Sequence, residues 1–196
     1  MKPHSPVADT QLEQPRPPKT ATVGDLYRVE GKAELVDGRI VKMSPSGDLP
    51  TLVAANIYSS LREYVKRAGR GIAYPDGAGF LCNLRHRKSF CPDGAYYTGP
   101  RPANRMTFLP QPPALAIEVR SEGDYGPAAE AEMRTKRADY FAAGTQVVWD
   151  VDPLAETVAV FRASHPDQPS VYGRADQAEA EPAAPGWKLS VDEMFA

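Results

Sequence analysis

At 196 residues the chain has the length of one domain, and a domain of that size buries roughly 70% of its unfolded surface. Its net charge of −2 excludes a global positive field, so a nucleic-acid role has to rest on a local basic patch. Two cysteines without a Cys-x-x-Cys exclude zinc-site spacing, and no run approaches the roughly 20 apolar residues that span a bilayer; with no apolar signal core at the N-terminus, the chain reads as cytoplasmic and free of membrane.

Residues 1–21 are rich in proline (Pro3, Pro6, Pro15, Pro17, Pro18) and poor in apolar side chains, which predicts a disordered arm before a domain over 22–196. Thr22 to Tyr27 can start a short helix. Ala33 to Met43 predicts a hairpin around the Asp37-Gly38 turn. Leu52, Val53, Ile57, Leu61 and Val65 recur at helical spacing, predicting a helix from Pro50 or Thr51 that Gly69 ends. Strand-like runs follow at 71–74, 79–84 and 94–98, and then a Pro-rich loop over 99–113. Ala114 to Val119 is an almost continuous apolar run, as in a strand covered on both faces. Residues 128–143 predict a helix stopped by Gly144. A buried strand over 146–151 turns at Asp152-Pro153 into 157–161. A last short strand at Val171–Tyr172 and a terminal helix over 191–195 complete the order. Helix, strands, helix, strands is the pattern of an α/β mixed sheet flanked by helices. Cys82 and Cys91 read as buried thiols.

Glu118 stands out because it interrupts the most apolar run. An ionised carboxylate in such a place has to be paired, protonated or metal-bound. Asp93, in Pro92-Asp93-Gly94, has the sequence of an ordinary turn, as does Tyr74-Pro75-Asp76-Gly77. It gains interest because a strand follows it and Glu118 lies in a later one. A hard cation such as magnesium takes carboxylate oxygens converging from separate elements. Lys136 shares a helix face with Glu132 and Tyr140, either in solvent or over the sheet. Arg120 follows Glu118 at the spacing of a D/E-x-K nuclease motif, with arginine for lysine; it can grip a phosphate or pair with Glu118. Glu34 is either a surface acid or an accessory acid that orients a metal-bound water. Arg85-His86-Arg87-Lys88 is the best local patch for a phosphate backbone, or else a hairpin tip. No Gly-rich phosphate loop, Ser/His/Asp set or His-Glu-x-x-His is present.

Several of these stretches, in this order, resemble the Uma-two family of restriction endonucleases within the PD-(D/E)XK nuclease superfamily: Glu34-Leu35-Val36-Asp37-Gly38-Arg39-Ile40 with Met43-Ser44-Pro45, Pro92-Asp93, Pro113 to Val119, Lys136 to Tyr140 with Ala143-Gly144, and Val148 to Pro153. The resemblance spans about residues 22–196. It implies a restriction-endonuclease-like mixed β-sheet flanked by helices and a magnesium-dependent endonuclease, manganese being a substitute, that hydrolyses DNA. Asp93 and Glu118 are then the metal ligands, the catalytic lysine has moved to the helix at Lys136, and Glu34 is an accessory acid. Family members often carry a histidine a few residues after the Ser-Pro; the equivalent here is Pro50. The loop with Glu122, Asp124 and Tyr125 is a few residues long for the family. Many nucleases of the superfamily act as two-fold dimers, so a homodimer is expected, with the strand pair over 148–161 near the sheet's end as its contact. The alternative is a non-catalytic module that uses the same fold to bind nucleic acid or protein.

Overall fold

The computed structural model describes residues 20–196. All but the last two residues of the expected N-terminal arm lie outside the described residues. Helix α1 (Val23–Leu26) is fixed by a capping box, in which the Thr22 hydroxyl accepts from the Asp25 N–H and Asp25 accepts from the Thr22 N–H. Strands β1 (Ala33–Val36) and β2 (Arg39–Lys42) form the expected hairpin. Asp37 and Gly38 both have positive φ, 50° and 68°, as a type I′ turn requires.

Helix α2 (Asp48–Ala68) begins earlier than Pro50, because proline is tolerated in a first turn and Asp48 favours that helix end. Gly69 closes it in the left-handed conformation. Strand β3 (Ile72–Pro75), the hairpin β4 (Phe80–Leu81) and β5 (Ser89–Phe90), and β6 (Gly94–Tyr97) follow. Gly71 is forced: its φ is +71° and a Cβ there would meet the Tyr96 ring at 2.3 Å. Next come β7 (Leu115–Val119), α3 (Pro127–Ala143), β8 (Val147–Asp152), β9 (Thr157–Arg162) and β10 (His165–Tyr172). The chain ends with β11 (Gln177–Glu179), β12 (Lys188–Ser190) and α4 (Val191–Met194).

Six strands form one mixed sheet in the order β10-β9-β8-β7-β6-β3. Only β7 and β8 are parallel, and α3 is the crossover between them. Every residue of β7 is buried, so the apolar run is a central strand covered on both faces. Strand alternation then sorts the side chains. Leu115, Ile117 and Val119 face α2 and a larger core that includes Trp149 stacked on Trp187 at 4.8 Å. Ala116 and Glu118 face α3, beside Phe90, Tyr140 and Val148.

Two expectations change. Strand β10 is eight residues long, not two, and it is the outer strand beside β9; its Pro166 and Pro169 are compatible with an edge but hid it in the sequence. The strand pair β8–β9 is therefore interior and not near the sheet's end, so it cannot pair edge to edge across a two-fold axis; among the described residues the outer strands are β10 and β3. The pair β11–β12 has no clear alternation in its sequence to announce it. Cys82 and Cys91 are free thiols. Among the described residues, no helix is long and apolar enough to cross a membrane.

Candidate active site

Burial of Glu118 is the starting point. Its carboxylate accepts from the Tyr140 hydroxyl at 2.6 Å and from Lys136 Nζ at 2.9 Å. Both donors come from α3 four residues apart, which puts them one turn above each other on the face that covers the sheet. Burial, reinforced by the negative charges of Asp93 and Glu34, outweighs Lys136 and pushes the Glu118 carboxyl up to about 7. Lys136 is itself held protonated: burial disfavours its charge, but Glu118 and Glu34 overcome that and raise its pKa.

Glu34 arrives from β1, in the N-terminal hairpin. The β1 hairpin docks on β4–β5, the Leu35 N–H donating to Ser89 Oγ and the Lys88 N–H to the Leu35 carbonyl. That docking buries Glu34 to 4% exposure. Its carboxylate accepts from the Cys91 N–H at 2.9 Å, lies 3.3 Å from Lys136 Nζ and is bound by Arg87. Burial opposes its charge, yet Lys136 and Arg87 hold its pKa below the usual value. Beside it, burial first and Glu34 second push the Cys91 thiol up to about 12, so this cysteine is no nucleophile.

Asp93 stands just before β6. Its Oδ2 accepts from the Val119 N–H at 2.8 Å, one residue beyond Glu118, and its Oδ1 takes Lys32 Nζ at 2.6 Å. Lys32 also reaches Asp76 Oδ1 at 2.6 Å. The structure thus brings Glu34, Asp93, Glu118 and Lys136 into one neighbourhood. Arg120 is placed elsewhere. Its guanidinium forks onto Asp150 at 2.7 and 2.9 Å and is bound by Glu130, and it does not pair with Glu118. Asp150 is opposite Glu118 on the neighbouring strand and is also held by Arg137 at 2.8 Å. Arg120 lies just past β7, so its long side chain swings to the carboxylate of the next strand.

The basic tetrad is corrected more sharply. Arg87 is buried, 7% exposed, between Glu34 and Asp139, with Arg87 Nε donating to Asp139 at 2.8 Å. His86 Nε2 is 2.7 Å from Asp139 Oδ1, and Lys88 Nζ donates to the Leu84 carbonyl. Arg87 is thus spent inside the protein, while Arg85 and His86 stay exposed and Lys88 bonds only a carbonyl, so the tetrad is not the continuous basic patch that its sequence suggests. Arg87 enters the cluster as a buried bridge and not as part of a basic patch, and Asp139, Lys32 and Asp76 join it without having been singled out as site residues. The visible signal was Lys136-Arg137-Ala138-Asp139-Tyr140, where three charges and a tyrosine share one helix turn and have to find partners on the sheet.

Whether the residues suit a hard cation can be tested on their chemistry. The donors are oxygens alone. In the ion-pair cluster, the five carboxylates of Glu34, Asp76, Asp93, Glu118 and Asp139 share three fixed cations, Lys32, Arg87 and Lys136, which leaves excess negative charge. Among the described residues no set of three or more acid, histidine or cysteine side chains is arranged as a ready metal cage. Magnesium does not ask for one: it is commonly held by one or two carboxylates, waters and substrate phosphates. Asp93 and Glu118 are carboxylates of that kind, their oxygens here engaged by Lys32, the Val119 N–H, Lys136 and the Tyr140 hydroxyl.

The raised Glu118 pKa has a consequence for stability. A carboxyl with a folded pKa above its unfolded value binds its proton more tightly in the native state, so folding is favoured below the unfolded value and that gain is lost as pH rises through about 7. Glu34 has the opposite sign, but its window lies below the ordinary carboxylate value. Without metal, the stability advantage of Glu118→Gln over wild type is therefore expected to grow by about 2 kcal/mol between pH 5 and pH 8. Urea melts in EDTA across that range measure it, and an advantage that is flat or shrinks with pH refutes the assignment.

Comparisons with known proteins give the family and the fold. The family model described as "Uma2: Putative restriction endonuclease" matches residues 23–192. A crystal structure described as "a putative nuclease belonging to DUF820", from Anabaena variabilis ATCC 29413, is similar with a TM-score of 0.69 at 20% sequence identity, covering 89% of this chain and 97% of that one. That likeness shows the shared fold, a mixed sheet flanked by helices. No curated protein matches.

Proposed function

Because the chain belongs to the Uma2 family of restriction endonucleases, we propose that it hydrolyses DNA phosphodiester bonds with magnesium, or manganese in its place, held by Asp93 and Glu118. The observation that carries this is the buried Glu118 carboxylate, joined by Lys136 and Tyr140 and neighboured by Asp93 and Glu34. A merely structural acid within an apolar strand gains nothing from a second and third carboxylate beside it.

When bound, the cation would supply charge for the phosphate and acidify a water. The chain's own residues do the rest. Lys136, fixed as an ammonium between Glu118 and Glu34, stands ready to stabilise charge that develops on the phosphate. Glu34 keeps that ammonium aimed and can accept a hydrogen bond from a water nearby. Tyr140 holds the Glu118 carboxylate in one rotamer. Arg120 has its donors committed to Asp150 and Glu130, so its role is to brace the end of β7 rather than to grip phosphate.

Lys136→Ala tests this division of labour. Cleavage of plasmid DNA is expected to fall about a hundredfold or more, while magnesium affinity by titration calorimetry does not weaken, because the lysine is no ligand. Loss of magnesium binding together with cleavage would contradict that separation of the lysine from the metal ligands. A non-catalytic module on the same fold is the second reading, favoured by the net charge of −2 and by the internal use of the Arg85–Lys88 run. It requires that Lys136→Ala leave partner binding untouched.

A further inference from the structure

A cleft of about 180 Å³ opens beside Asp93, between the N-terminal half of α2 and the ends of β3 and β7. Its walls are mostly apolar: Pro50, Ala54, Tyr58, Pro75 and Val119. No lysine or arginine lines it, so a phosphate is not its occupant. It is smaller than the roughly 300–1,000 Å³ that holds drug-sized ligands and cannot seat a helix or an extended peptide. What it suits is one flat, neutral ring with polar edges. Asp76 lies at its margin; Oδ1 accepts from the Gly77 N–H and Lys32, while Oδ2 has no hydrogen bond among the described residues. A free carboxylate oxygen beside an apolar slot can accept from an exocyclic amine or ring N–H.

Asp93 belongs both to this cleft and to the cluster around Glu118. Glu118 faces α3 while the cleft opens on the α2 side, and Asp93 at the end of the sheet reaches both, so a chain whose phosphate is presented at Asp93 can lay its neighbouring nucleoside at the mouth of the slot. In a continuous duplex that base is stacked and paired and cannot enter. The net charge of −2 also supplies no global positive field to grip a duplex backbone. We infer that the cleft receives the unpaired nucleobase next to the phosphate that a cation on Asp93 and Glu118 would hold, so that the substrate is DNA with a single-stranded or unstacked nucleotide at the cleavage point. This rests on the nuclease reading above, which it narrows to a substrate class.

Ala55 lines the cleft from an exposed position on α2, so Ala55→Trp fills the slot with little demand on the fold. Binding is measured on the full chain with calcium, a hard cation that takes the same oxygen ligands, by fluorescence anisotropy, with a labelled twelve-nucleotide thymidine strand, a fully abasic strand of equal length and a blunt duplex as probes. Wild type is expected to bind the thymidine strand about tenfold more tightly than the abasic strand or the duplex, and Ala55→Trp to lose that margin. An unchanged melting temperature and circular dichroism spectrum identify the loss as local. Equal affinity for the three probes, or a thymidine preference that survives Ala55→Trp, overturns the base-binding slot. Because no cleavage is read, this outcome is separate from the nuclease reading: a slot that fails beside a wild type that cuts DNA leaves that reading standing, and a thymidine preference lost with Ala55→Trp upholds the slot even where no cut is seen.

Discussion

Glu118→Gln is expected to abolish DNA cleavage, by at least about a thousandfold, while leaving the protein folded and somewhat more stable near neutral pH. The substitution keeps the volume and one acceptor for the Tyr140 hydroxyl, but removes the charge that would hold a cation. Charge stabilisation by a bound metal is worth several kcal/mol, and each 1.36 kcal/mol is tenfold in rate. The gain in stability has a separate cause: burial and the nearby Asp93 and Glu34 already disfavour the ionised form. Calorimetric titration with magnesium is expected to show binding to wild type and none to Glu118→Gln at millimolar concentration. The decisive assay incubates plasmid and single-stranded DNA with both proteins, with magnesium or manganese. Equal cleavage by both would indicate a contaminant and sink the site. A variant that unfolds would assign Glu118 to structure instead, and the melts in EDTA separate these outcomes.

The second large effect belongs to Arg87, which does no chemistry. Its guanidinium lies between Glu34 and Asp139, and all three side chains are under 10% exposed. Arg87→Met leaves two buried carboxylates facing each other with half their compensation gone. Breaking one side of such a set costs about 3–5 kcal/mol, because uncompensated buried charge remains. In a chain of this size that corresponds to a melting temperature lower by roughly 10 °C. Arg87→Lys keeps the charge but not the planar fork that spans both acids, and is expected to fall between the two. Since Glu34 shares Lys136 with Glu118, Arg87→Met is also expected to loosen the lysine. The double variant Arg87→Met with Glu34→Gln then loses less than the sum of the single changes, because one orphaned charge has been removed. A loss below about 1 kcal/mol for Arg87→Met would mean that water or His86 makes good the missing cation.

Much of this molecule is readable without its three-dimensional structure. The apolar run Ala114–Val119 announces a central strand, and the helices over 48–68 and 127–143 follow from apolar spacing and terminal glycines. Those signals are local: period, capping and turn chemistry depend on a few adjacent residues. Glu118 is conspicuous for the same reason, as one acid in an apolar strand. Lys136 and Tyr140 are visible as a pair at one turn's spacing, although nothing nearby says which way that face looks.

Other features depend on contacts between distant segments. Glu34 reads as a plain acid until the β1–β2 hairpin docks on β4–β5 and buries it against Cys91, Arg87 and Lys136. Arg85–Lys88 reads as a basic patch until Asp139, 52 residues beyond Arg87, claims the arginine. The i+2 spacing suggests that Arg120 meets Glu118, yet the acid opposite on β8 captures it instead. A charged side chain is drawn to whichever opposite charge the fold brings near it, and sequence distance does not enter that energy. The sequence by itself thus determined the central strand, the helices that cover it and the one acid that had to be explained. Only the tertiary structure decided which cation meets which carboxylate, because burial removes water as the competing partner and makes pairing obligatory.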